Sequence, residues 1–345
     1  MSALEVRNLR VRFDTPRGVV QAVEHVSLSI EAGETHALVG ESGSGKSVTA
    51  LALMGLLPRP LAVVETGEAW VDGQNLLALG ERELRGLRGD KIAMVFQDPN
   101  TSLHPLFTIG WQLAEALQMH RETSAGEVRA ACVRALGDVG IADPEQRLDA
   151  YPHELSGGTK QRVMIAMALL CEPKVLIADE PTTALDVTIQ AQILDLLARL
   201  QERHGTAILL ISHDLAMVSN VADRVSVMYA GSIVESAPAR DLFEIATHPY
   251  TLGLLASAPS LSAPTDAPLV SIPGSPPDTM RLAKGCAFEP RCTFRVERCK
   301  REPPHLVPWG DLRHPHRSQL HLQRQCACFE VDRVVAQSRS AEPRA

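Results

Sequence analysis

Residues 40–47 read Gly40-Glu41-Ser42-Gly43-Ser44-Gly45-Lys46-Ser47, with the spacing G-x-x-x-x-G-K-S. Few folds accept such a stretch. Its three glycines permit turns that a side chain forbids, and they let successive backbone N–H groups face one concavity. The preceding run, Thr35-His36-Ala37-Leu38-Val39, has the pattern of a buried parallel strand. The following residues, Val48 to Leu57, predict a helix. Strand, glycine-rich loop and helix in that order put the loop at a helix N-terminus, where anions are favoured. This is the context that a phosphate loop requires. Residues 40–48, ending at Val48, are therefore candidates for binding a nucleotide. Lys46 is placed to reach the β- and γ-phosphates, and the Ser47 hydroxyl to ligate Mg²⁺.

Two further apolar runs end in polar groups. Lys174-Val175-Leu176-Ile177-Ala178 runs into Asp179-Glu180. Adjacent strand residues point to opposite faces, so the two acids have different tasks. Asp179 is assigned to Mg²⁺ and Glu180 to the attacking water as general base, a role worth roughly 10²–10⁴ in rate. Ala207-Ile208-Leu209-Leu210-Ile211-Ser212 ends at His213-Asp214. Ligands of open parallel sheets bind beyond the carboxyl ends of the strands. His213 then stands near the γ-phosphate, where it can orient the water. Phe13 closes an early strand-like run and is read either as the base-stacking aromatic or as core.

In this order the motifs resemble the ATP-binding subunits of ABC transporters. The match comprises the phosphate loop, Met94-Val95-Phe96-Gln97-Asp98, Leu155-Ser156-Gly157-Gly158, Asp179-Glu180, Ala184-Leu185-Asp186 and His213. The resemblance implies that Gln97 senses Mg²⁺ and the water beside the membrane subunits. It implies that Leu155, Ser156, Gly157, Gly158 and Gln161 serve ATP held by a second subunit. It implies that Ala184, Leu185 and Asp186 form the dimer loop. Ser156 also reads as the N-cap of a helix over 159–170. Thr159 and Lys160 stand where relatives usually carry methionine and arginine. The fold implied is α/β, a P-loop ABC-type ATPase core with an antiparallel β subdomain and a helical subdomain.

Residues 1–250 are assigned to that ATPase, with the helical subdomain at about 101–155. There Val128, Cys132, Ala135, Leu136 and Val139 share one helical face, and Cys132 reads as packing. Six prolines between 257 and 280 predict an extended linker over 251–280. A distinct cysteine segment follows at 281–345. It contains Cys286, Cys292, Cys299, Cys326 and Cys328, five of the chain's seven cysteines. Clustered thiols of a cytosolic protein favour metal over disulfides, and these gaps are wide for zinc. The segment carries 13 Lys and Arg against 7 Asp and Glu, a balance of +6 that leaves −13 for the rest. A basic docking tail with free thiols is the alternative.

His248-Pro249-Tyr250-Thr251, Ile272-Pro273-Gly274-Ser275-Pro276-Pro277, Gly285-Cys286, Pro290-Arg291-Cys292 and Cys299 resemble the oligopeptide, dipeptide and nickel importer subgroup. That resemblance implies a [4Fe–4S] cluster on Cys286, Cys292, Cys299 and Cys328, with Cys326 competing for the fourth place. It implies a peptide-import ATPase, with a nickel or other small-solute importer and a non-transport ABC ATPase as alternatives. The implied partners are a second ATPase subunit, two membrane permeases and an extracytoplasmic substrate-binding protein. The expected location is the cytoplasmic face of the inner membrane. A net charge of −7 over 345 residues argues against general nucleic-acid binding. No apolar run reaches the length of a membrane span.

Overall fold

A computed structural model describes residues 2–183, 185–257, 271–278, 280, 284–309 and 324–340. Two sheets and a helical layer build it. The first sheet is antiparallel, in the order β2-β1-β4-β5, from β1 (Ser2–Thr15), β2 (Gly18–Glu31), β4 (Ala62–Val71) and β5 (Gln74–Asn75). Alternation decides which face is buried: Val26, Leu28 and Ile30 point inward, while Ser27 and Ser29 point outward. In β1 a register shift between Val6 and Leu9 changes the phase, so Leu4, Val6, Leu9 and Val11 all reach the core.

The second sheet has the order β11-β12-β10-β9-β3-β8-β7-β6. Its strands β6 (Ile92–Val95), β7 (Val175–Asp179), β8 (Ala207–Ser212), β3 (Thr35–Val39) and β9 (Arg224–Tyr229) are parallel neighbours. β3, β7 and β8 are buried along their whole length, as continuous apolar runs require. Ala37, Leu176, Ala178, Ile208 and Leu210 face the helices, while Leu38, Ile177, Leu209 and Ile211 face the antiparallel sheet. Each buried Leu or Ile among them contributes about 1.5–3 kcal/mol.

Helix α1 (Lys46–Leu53) follows the loop, and α2 (Glu81–Leu87) precedes β6. The helical region holds α3 (Pro99–Ser102), α4 (Ile109–Gln118), α5 (Ala125–Asp138) and α6 (Pro144–Arg147). In α5 a Ser124–Glu127 capping box fixes the start, and Val128, Cys132 and Leu136 are buried, so Cys132 packs. Helix α7 (Gly157–Leu169) leads to β7, α8 (Val187–His204) to β8, and α9 (Leu215–Val218) to β9.

After β10 (Ser232–Pro238) come α10 (Ala239–Glu244) and α11 (Pro249–Ser257). Helix α11 crosses the expected boundary at 250, so residues 251–257 are helical rather than linker; residues 258–270 lie outside the described residues. The cysteine segment joins the main body. Its strands β11 (Val307–Pro308) and β12 (Gln325–Cys326) extend the second sheet, with Cys326 opposite Glu235. Phe288 enters the main core, and Ile272, Cys286 and Cys292 pack against it. A segment with few large apolar residues cannot build its own core, so it uses the existing one. Glu235 lies beside this junction, opposite Cys326, and is fully buried. Its carboxylate accepts from the N–H and hydroxyl of Thr247, at 2.8 and 2.6 Å, and from the His248 N–H at 2.9 Å. A buried charge without such donors is strongly destabilising.

Candidate active site

The parallel strands end on one edge, and that edge carries the site. The phosphate loop leaves β3 there and turns into α1 at Gly45, whose φ is +107°. A Cβ at Gly45 would stand 2.4 Å from the Ala22 carbonyl oxygen, so the position accepts only glycine. Lys46 folds back over the loop. Its Nζ donates to the carbonyls of Gly40 at 2.7 Å and Glu41 at 3.0 Å. Burial lowers the Lys46 pKa, opposed by the charges of Glu180, Asp179 and Glu41.

The two acids have different partners, although β7 ends at Asp179 and Glu180 lies just beyond it, so strand alternation does not place the second. Asp179 accepts from the Ser47 hydroxyl at 3.0 Å. Burial chiefly pushes its carboxyl up, and the neighbouring Glu180 adds to this, while Ser47 and Lys46 oppose it. A carboxylate with that tension, beside a hydroxyl, fits a divalent cation. Glu180 adopts φ of +46°, and its N–H donates to the Ile211 carbonyl at 3.0 Å. A non-glycine residue held there costs about 1–3 kcal/mol, which the surroundings must supply. Its Oε2 accepts from Gln97 Nε2 at 3.1 Å and from the Thr183 hydroxyl at 2.9 Å, and lies 3.2 Å from His213 Nδ1. Thr183 is a participant that sequence reasoning missed; its spacing of three from Glu180 was the available signal.

These groups share one open cleft of about 630 Å³, lined by Phe13, Lys46, Ser47, Gln97, Glu180 and His213, with Ser42, Gly43, Gly45 and Val48 along the loop. Phe13 is thus at the cleft wall. Gly40 and Glu41 stand behind, and Ser44 is buried with no hydrogen-bond partner for its hydroxyl among the described residues.

Ser156 and Gly158 do not line this cleft. Ser156 caps α7 by accepting from the Thr159 N–H at 3.3 Å, and the two hydroxyls lie 2.8 Å apart. The helix starts two residues before the expected 159. Ser156 and Gly157 are exposed, and Leu155 is buried. Gly158 is crowded by Ile189, which a Cβ would meet at 3.0 Å. Lys160 donates to Asn100 at 2.7 Å. Gln161 is buried, away from the exposed helix start. Leu185 packs on the core and Asp186 caps α8 through the Ile189 N–H at 3.0 Å; Ala184 lies outside the described residues.

Cys286, Cys292, Cys299 and Cys328 converge on a cavity of about 10 Å³, beside Phe288 and Phe294. Cys326 does not line it and faces Glu235 and Thr247 instead. Burial pushes the Cys286 thiol up to about 11 and the Cys328 thiol up to about 12. Among the described residues no three His, Cys, Asp or Glu side chains are disposed to hold a metal ion. The space has room for about one water, and a four-iron cluster does not fit the thiols as they stand.

A nucleotide loop, a strand-end acid pair and a capped serine–glycine helix start together define a P-loop ATPase of the cassette type. Residues 23–183 match the ABC transporter family, and residues 234–299 match the oligopeptide/dipeptide transporter C-terminal region. The oligopeptide transport ATP-binding protein OppD of Salmonella typhimurium is 52% identical over 301 residues, covering 87% of this chain and 89% of that one. OppD of Escherichia coli is 51% identical over the same length, covering 87% and 88%. Among solved structures, the dimeric ATP-binding cassette MJ0796 bound to ADP and Pi aligns with a TM-score of 0.61 and 29% identity, covering 69% of this chain and 99% of that one. The chain belongs to the ABC transporter family of ATP-binding subunits. Among the described residues no helix is long and apolar enough to cross a membrane.

Proposed function

We propose that this subunit binds and hydrolyses ATP to energise the import of di- or oligopeptides through a membrane complex. The observation that carries the ATPase reading is the convergence on Glu180 Oε2 of Gln97, Thr183 and His213, across one cleft from Lys46 and Ser47. The loop N–H groups and Lys46 hold the phosphates. Ser47, Asp179 and Gln97 would hold Mg²⁺, which neutralises charge on the phosphates when bound. Glu180 takes the proton of the attacking water, and Gln97 and His213 orient that water.

Peptide as cargo is supported by the C-terminal region match and by the relatives' names. The exposed Ser156 and Gly157, outside the chain's own cleft, support a dimer in which each signature serves the partner's ATP. A sister ATPase, two permeases and a substrate-binding protein complete the proposed complex at the cytoplasmic face of the inner membrane. Steady-state phosphate release in the assembled complex tests the reading: Glu180→Gln should lose about 10²–10⁴ in rate while retaining nucleotide binding. Wild-type turnover by that variant would remove Glu180 from the role.

A second reading, confined to the tail and resting on the resemblance, has the four neighbouring thiols hold metal after rearrangement, since among the described residues no three are disposed to do so as they stand. The [4Fe–4S] cluster implied by resemblance requires the thiols to rearrange. Anaerobic purification with iron, sulfide and zinc analysis decides. Equal iron and sulfide support the cluster, stoichiometric zinc replaces it with a single ion, and neither leaves free thiols.

A further inference from the structure

The phosphate loop has an inner side facing the cleft and an outer side facing the C-terminal segment. Glu41 occupies the outer side. Its carboxylate receives a two-pronged bond from Arg291, with Nη1 at 2.7 Å from Oε2 and Nη2 at 2.9 Å from Oε1. The Arg291 side chain is only 5% exposed. Its Nε donates to the Pro273 carbonyl at 2.9 Å and its Nη2 to the Ile272 carbonyl at 3.4 Å. The Tyr250 hydroxyl accepts from the Glu41 N–H at 2.8 Å. Elements far along the chain therefore converge on one loop residue.

Two physical consequences follow. A glycine-rich loop is permissive, so its shape must be imposed by contacts outside it. Here the fork and the Tyr250 bond fix Glu41, whose carbonyl helps to hold Lys46. Second, a carboxylate within an anion-binding loop opposes a polyphosphate unless it is neutralised. A bidentate guanidinium does this with defined geometry, which a lysine does not.

We propose that Arg291 is a positioning residue for the phosphate loop, and that the cysteine-bearing segment sets nucleotide affinity through its fork onto Glu41. The inference rests on the nucleotide-site reading above and adds a control element to it. Arg291 immediately precedes Cys292, so the loop's outer support is continuous with the wall of the cysteine cavity.

Calorimetric titration of Mg·ADP into the full-length protein tests this. Arg291→Gln should weaken binding about tenfold, the scale of coupling between directly contacting charged groups. Arg291→Lys, which keeps the charge without the fork, should fall between that variant and the wild type; it also serves if Arg291→Gln does not fold. Adding Glu41→Gln to Arg291→Gln should recover part of the loss, because no unpaired carboxylate then remains. A purely structural role for the arginine predicts no such recovery. Wild-type affinity in both folded single variants overturns the proposal, as does a double variant that binds more weakly than Arg291→Gln. A wild-type protein that binds no Mg·ADP sinks the nucleotide-site reading instead, so the two failures are distinct.

Discussion

The nucleotide cleft and the cysteine cavity are both made of convergent reactive side chains, yet one is open and the other is shut. The cleft is about 630 Å³ and the cavity about 10 Å³. In the cleft the polar groups already satisfy one another: Lys46 with two carbonyls, Ser47 with Asp179, and Glu180 with Gln97 and Thr183. Such bonds fix the relative positions of the groups that make the site. In the cavity the thiols sit against Phe288 and Phe294, and burial favours the neutral form of Cys286, Cys292 and Cys328. Neutral thiols behave as small apolar groups and pack together. The cleft is thus held by hydrogen bonds and backbone geometry, whereas the cavity is shaped by the packing of the side chains that line it.

The largest expected effect tests the backbone half of that contrast. Gly45→Ala combines a left-handed φ with a 2.4 Å approach to the Ala22 carbonyl. Strain and overpacking together should cost about 4 kcal/mol of unfolding free energy, measured by urea titration, and should abolish nucleotide binding. A fully stable, ATP-binding Gly45→Ala protein would break the contrast, because the cleft would then not depend on its glycine geometry.

A second effect concerns the strand beneath the loop. His36 of β3 is buried, with Nδ1 3.2 Å from the Ser29 carbonyl and Nε2 2.8 Å from the Ser226 hydroxyl. Burial, with the charge of Arg224 adding to it, lowers its pKa from 6.5 to about 4. The folded protein therefore resists a proton that the unfolded chain accepts. This stability is complete above pH 6.5 and is lost as pH falls towards 4, in total about 3 kcal/mol. Urea titrations at pH 7.5 and 4.5 should show the drop, and His36→Gln should flatten it. An equal slope in both proteins would place the acid sensitivity elsewhere and sharpen where the cleft's foundation fails.

What the sequence displays and what it conceals follow the same division. β3, β7 and β8 are legible because continuous apolar runs admit few other fates, and the loop is legible because its pattern is local. Strand alternation does not account for Glu180, whose left-handed backbone beyond the end of β7 carries no local signal. The helical face of α5 was readable from its period. The tail's attachment was not. β12 has two residues and no period to detect, and Arg291 meets Glu41 across 250 positions. Gln161 was grouped with the signature by position, but the turn of α7 buries it. Contacts that depend on where two distant segments dock leave no local trace in either.

The smallest expected change in stability is also the one that best separates holding a shape from holding a ligand. Lys46 is buried, and that burial penalises its ammonium. Its two carbonyl bonds offset the penalty rather than exceed it, as is common for buried charges. Lys46→Met keeps the length and volume of the side chain and removes the charge. Its unfolding free energy should therefore stay within about 1 kcal/mol of the wild type. Mg·ADP affinity should nevertheless fall about 10- to 100-fold, the worth of hydrogen bonds to charged groups. Were stability to collapse instead, the lysine would be part of the scaffold, and the cleft, like the cysteine cavity, would owe its shape to the side chains that line it.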